Sequence, residues 1–160
     1  MDVGAAQSKR VRIVPGLGGR NDYLVLTYYW GDAPDHHRLT TQTLHRYFSL
    51  PGIRDSELPR TIVDAVHITR RLGFRYLWVD SLCIIQDDNL NWQKESSTMS
   101  EVYSNAYCTI SATGSANSSE GCFMERTGLS MLPVRPTRLY QEEDDDKTGM
   151  GLTMLTPNLP

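Results

Sequence analysis

A chain of 160 residues, 39% of them apolar, can bury one core, and a net charge of −3 gives no field suited to a polyanion. Lys9, Arg10 and Arg12 are too few for a basic stripe, which excludes nucleic acid as the expected partner. No apolar run approaches the ~20 residues that span a bilayer, and the first residues hold no apolar leader core.

Cys83, Cys108 and Cys122 show neither CxxC nor zinc spacing, so the expectation is a cytoplasmic chain with reduced thiols, no metal and no membrane span. Residues 1–22 read as an arm, loose over residues 1–10, in which "VRIVPG" forms a short edge strand ended by Pro15 and Gly16. "NDYLVLTYYWGD" is a continuous apolar and β-branched run, the pattern of a strand buried on both faces of a parallel sheet. Residues 32–57 are polar, with a short helix over "TQTLHRYFS".

"ELPRTIVDAVHITRRLGFR" is amphipathic: Ile62, Ala65, Val66, Thr69 and Leu72 share a face, Pro59 opens the helix and Gly73 closes it. Arg70 and Arg71 suit its last turn, where cations complement the macrodipole. "FRYLWVD" is a second buried strand. "DDNLNWQKESSTMSEVYSNA" reads as one helix, capped by Asp87 or Asp88 and ending near Asn105. "YCTISAT" is a third strand, and "TGSANSSEG" reads as a flexible loop without GxGxxG or GxxxxGK[ST]. Residues 127–160 lack periodicity, and the acidic run from Glu142 to Asp146 suits a solvated tail.

Strand, helix, strand, helix, strand implies right-handed crossovers. The predicted fold is α/β, a three-layer sandwich with a mostly parallel sheet flanked by helices. Sites in such sheets form beyond the carboxyl ends of the strands. Those ends are Trp30-Gly31-Asp32, Asp80-Ser81 and Thr113-Gly114, three distant segments that should meet on one edge.

Glu95 falls inside the apolar stripe Trp92, Met99, Val102, Tyr103 and Ala106 of the second helix. A carboxylate there must be paired, protonated or at the rim of a cleft. Partial burial would raise its pKa toward the acid–base range, whereas a place at the stripe's margin would leave it paired with an arginine. Asp80 ends its strand, where it can accept hydrogen bonds from a ligand hydroxyl or cap the next turn. Cys83 has no histidine assigned to it by spacing (His36 and His37 lie in a loop, His67 on a helix) and reads as a small buried hydrophobe. Trp30 beside Gly31 offers either a wall for a stacked base or nicotinamide ring, or ordinary core.

The blocks "YLVLTYYWGD", "LPRTIVDAVHITRRLGFRYLWVDSLCIIQDD", "NWQKESSTMSEVYSNAYCTISAT" and "GCF" resemble, in order, the fungal heterokaryon-incompatibility (HET) domain over residues 23–126. Thr27 stands where that family often has serine and Asn91 where it often has an acid. A further family segment with a Trp and a Gln-Glu pair is matched only by Gln141-Glu142. The resemblance implies an intracellular module that triggers programmed cell death in non-self recognition. It also implies a flavodoxin-like fold akin to Toll/interleukin-1 receptor (TIR) domains, some of which cleave NAD with a helix-borne glutamate.

By that analogy Glu95 and Asp80 are the catalytic candidates, and Trp30, Gly31, Asp32, Ser81, Cys83, Gln86 and Trp92 line the nucleotide pocket. NAD is then a substrate, and no cofactor is required. The alternatives are a non-catalytic module that works through self-association or other cell-death proteins, and a truncated, inactive member.

Overall fold

The computed structural model describes residues 1–16, 21–31 and 38–123, with the backbone of two strands at 135–137 and 154–156. The chain divides into two compact units, Met1–Met124 and Glu125–Pro160. The first contains β1 (Arg10–Val11), β2 (Tyr23–Tyr28), α1 (Leu44–Phe48), β3 (Ile53–Arg54), a 3-10 turn (Asp55–Glu57) and α2 (Arg60–Arg71). It continues with β4 (Tyr76–Val79), α3 (Asp80–Cys83), α4 (Asn89–Ser97), α5 (Met99–Ser104) and β5 (Cys108–Ala112).

β2 lies at the centre of a parallel three-stranded sheet of order β4-β2-β5, which explains its unbroken apolar run: Leu24, Val25 and Leu26 are all buried. Leu24 stands opposite Leu77 and Cys108, and Leu26 opposite Val79 and Ile110. Counted along the chain, the order is second, first, third, the order with which a doubly wound sheet begins.

Side chains alternate across the pleat. Leu24, Leu26, Leu77 and Val79 pack with Ile62, Ala65 and Val66 of α2 in the core. Tyr23, Val25 and Trp78 face the other way, toward α5. There the Tyr23 hydroxyl donates to the Val102 carbonyl at 2.7 Å, and the Trp78 ring meets Tyr103 edge-on at 6.0 Å. A helix on each face gives the expected three layers. Among the described residues no helix is long and apolar enough to cross a membrane.

α2 ends as its sequence predicts. Gly73 takes φ +82°, its N–H bonds the Arg70 carbonyl, and the Phe74 N–H reaches back to Thr69. This is a Schellman closure, which favours glycine at the left-handed position. Leu72, expected on the apolar face, is 56% exposed because it lies past the last helical residue.

Four segments differ from expectation. Residues 1–3 are no loose arm: Val3 is fully buried, and Val3 N–H and the Met1 carbonyl bond to the free edge of β4 at Arg75 and Leu77. The predicted second helix is two, broken at Thr98. The loop after β5 is not a flexible one but is docked, with Ser115 and Ser118 buried. In the second unit, within the stretch expected to be irregular, Arg135–Thr137 (β6) pairs antiparallel with Met154–Thr156 (β7). The acidic run 142–146 lies outside the described residues.

Candidate functional site

The carboxyl ends of the three parallel strands do meet. After β2, the indole N–H of Trp30 donates to both carboxylate oxygens of Asp80, at 3.1 and 3.0 Å. After β4, the Ser81 N–H bonds Asp80 Oδ1 at 2.7 Å, and the Ser81 hydroxyl lies 2.8 Å from that of Tyr28. After β5, Ser118 N–H reaches the Trp30 carbonyl, and Gly31 sits against Asn117. Gly31 has φ +60°, and a Cβ there would fall 2.6 Å from Asn117 Cβ, so this approach requires glycine.

This cluster is packed and hydrogen-bonded, and the electrostatics follow from that. Burial pushes the Asp80 carboxyl above its ordinary value, opposed by the Ser81 and Trp30 N–H donors. Burial and the neighbouring Asp80 charge likewise hold the Tyr28 phenol well above its usual range, opposed by the Ser81 hydroxyl. The Arg38 guanidinium lies over the Trp30 ring at 5.2 Å and takes one of the faces on which a base could stack. Asp80 therefore both braces the first turn of α3, through the Ser81 N–H, and holds Trp30. Gln86 braces the same turn, donating from its side chain to the carbonyls of Asp80 and Ile84.

Several N–H groups of the loop 113–121 that a phosphate would need already have acceptors in this arrangement. Ser115 N–H bonds Ala112, Ala116 N–H bonds the Glu120 carboxylate, and Ser119 N–H bonds Asn117 Oδ1. Gly121 N–H bonds Thr61 and Cys122 N–H bonds Asp64. The last two contacts dock the loop on the first turns of α2. Burial and Asp64 push the Cys122 thiol up to about 11, so it stays protonated.

Glu95 belongs to a different place. It is half-buried and lines a cavity of about 490 Å³ together with Tyr23, Tyr76, Trp78, Cys83 and Asn91. Asn91 and Glu95, four residues apart, share the face of α4 turned to this cavity. α4 is held there by Asp88, whose carboxylate caps Leu90 and Asn91 N–H, while the Asn91 side-chain Oδ1 accepts from Ile85 N–H. Asp87, the other candidate cap, instead bonds Thr41.

The predicted site residues thus divide. Glu95 and Cys83 line the cavity. Trp30, Gly31, Asp80 and Ser81 are outside its lining, in the strand-end cluster, with Gln86 bracing the turn beside them. Trp92, 49% exposed, is also outside the lining, so the stripe that located Glu95 does not run through α4. Asp32 lies outside the described residues. Tyr28, Arg38 and Asn91 were not foreseen. Only Asn91 had a usable signal, its spacing of one helical turn from Glu95. Among the described residues no group of three or more His, Cys, Asp or Glu could hold a metal ion.

Comparison with known proteins places the chain. The sequence is 30% identical over 99 residues to Heterokaryon incompatibility protein 6, OR allele, of Neurospora crassa. The match takes in 59% of this chain and 14% of that protein, so the chain spans a small part of its relative. No solved structure matches significantly. The family described as Heterokaryon incompatibility protein (HET) matches residues 23–153, a stretch that takes in all three parallel strands and the Glu95 cavity's helix. The chain belongs to the heterokaryon incompatibility family.

Proposed function

We propose that this chain is the effector module of a fungal incompatibility system, acting inside the cell to promote programmed death by cleaving NAD at the Glu95 cavity. The family membership and the incompatibility role in the relative's name support the first part. The observation that carries the second is a half-buried carboxylate in a cavity of about 490 Å³, within the range of about 300–1,000 Å³ common for small-molecule sites.

The bond broken is the one between ribose and the nicotinamide nitrogen. Nicotinamide leaves with the bonding pair, water supplies the hydroxyl and releases its other proton to solvent, and Glu95 stabilises the positive charge that develops on the ribose. Tyr23, Tyr76 and Trp78 supply flat apolar walls for the departing ring. Asp80 acts at a distance, by holding the strand ends that carry the sheet.

A second reading, self-association without catalysis, is favoured by β5. It is an outer strand of its sheet, with no partner on its other side among the described residues. It carries neither charge nor proline, the usual protections of an edge, and Thr109 and Ser111 are exposed.

Nicotinamide release from NAD by the concentrated chain, beside Glu95→Gln, separates the two. Release by the parent, lowered at least a hundredfold in the variant, is the expected outcome. No release from either folded protein, with a mass that rises with concentration in light scattering, would establish assembly instead.

A further inference from the structure

A second concavity, of about 400 Å³, lies on the outer side of the β1–β3 ladder and is lined by Lys9, Arg10, Arg54, Asp55, Ser56 and His67. Val11 and Ile53 of the ladder are buried, which turns the alternate residues Arg10 and Arg54 outward. These two arginines are direct cross-strand partners. Like charges placed opposite one another on a ladder repel, and the fold retains them with Lys9 alongside.

The nearby acids answer these cations only in part, the Glu57 charge acting on Arg54 but being shared with Arg46. Asp55 accepts two bonds from buried Arg70, at 2.6 and 3.2 Å, and counts with it as a neutral pair, with His67 Nε2 a further 3.8 Å from its Oδ2. The Glu57 carboxylate is taken by Arg46 and by the backbone N–H of Arg54. Arg10 is held in place by one bond, from Nη1 to the Gly52 carbonyl at 2.7 Å, which leaves the rest of its five donors. Three cations, the Ser56 hydroxyl and the His67 ring therefore face one concavity of small-ligand size.

We propose that this cleft binds a small phosphate-bearing anion of the diphosphate type. Charge-assisted bonds from Arg10, Arg54 and Lys9 would then replace the repulsion among them. The site is separate from the Glu95 cavity and stands whether or not that cavity is catalytic.

The test is a titration of the folded chain with sodium pyrophosphate, followed by backbone amide NMR, against sodium chloride at matched ionic strength. Amides of Arg10, Arg54, Ser56 and His67 should shift and saturate with pyrophosphate alone. Arg54→Ala and Lys9→Ala should each weaken binding about tenfold, whereas Arg71→Ala, a cation on α2 outside the cleft, should leave it unchanged. Should Arg54→Ala lose its dispersed spectrum, Arg54→Gln and Lys9→Ala carry the comparison. Shifts that match those in chloride, or equal weakening by Arg71→Ala, would overturn the proposal.

Discussion

Asp80 shows how one residue's surroundings set its role. Its carboxylate accepts from the Trp30 indole and from Ser81 N–H, yet burial still raises its pKa above the ordinary 3.8. A carboxyl that holds its proton more tightly when folded favours the folded state below the unfolded pKa. That contribution is lost as pH rises through the folded value. Asp80→Asn removes the titration while keeping an oxygen for Trp30. Denaturant unfolding of both proteins from pH 3 to 8 should therefore show the variant gaining stability over the parent as pH rises through the carboxylate range. A constant difference across that range would show that Asp80 ionises without cost.

At the scale of an element, the break between α4 and α5 has a local chemical origin. Ser96, Ser97 and Thr98 each turn a hydroxyl back onto the carbonyl three residues earlier, at 3.1, 2.7 and 3.0 Å. Such bonds compete with helix continuation. The break lets α5 seat Tyr103 on Trp78 while α4 turns Asn91 and Glu95 to the cavity. Replacing all three residues by alanine should join the helices, raise the 222 nm circular dichroism signal and change stability by about 1 kcal/mol. An unaltered spectrum would mean that packing, rather than the hydroxyls, imposes the break.

For the whole molecule, Arg70 is the principal tie. It is buried on α2 and bonds Asp55 of the 3-10 turn, the Val3 carbonyl at 2.7 Å and the Arg10 carbonyl at 3.0 Å. One guanidinium thus joins α2, the segment along the β4 edge, β1 and the turn after β3. Truncating one partner of a buried pair leaves the other charge uncompensated, at a cost of about 3–5 kcal/mol. Arg70→Ala should lose that much in urea unfolding and expose residues 1–12 to proteolysis. A loss under 1 kcal/mol would show that the hydrophobic core alone holds these segments together.

The three parallel strands, α2 with its glycine closure, the cap at Asp88 and the family were legible in the sequence. Each rests on a local period or a local bond: an unbroken apolar run for β2, a 3.6-residue stripe for α2, and a carboxylate two residues before the N–H it caps. Periodicity misled at Trp92, which is exposed, because a stripe drawn through residues 92–106 assumes one continuous helix, and the hydroxyl run ends it at Thr98. Arg70 read as a cation at a helix end, since nothing local announces that Asp55 lies beside it. Only the tertiary structure decided that Asp80 meets Trp30 across 50 residues, that the serine-rich loop spends several of its N–H groups on its own turns and on α2, and that Glu95 and Asp80 belong to different places. Those pairings depend on which surfaces the folded sheet brings together, and a one-dimensional pattern encodes a residue's own face but not the partner that face will meet.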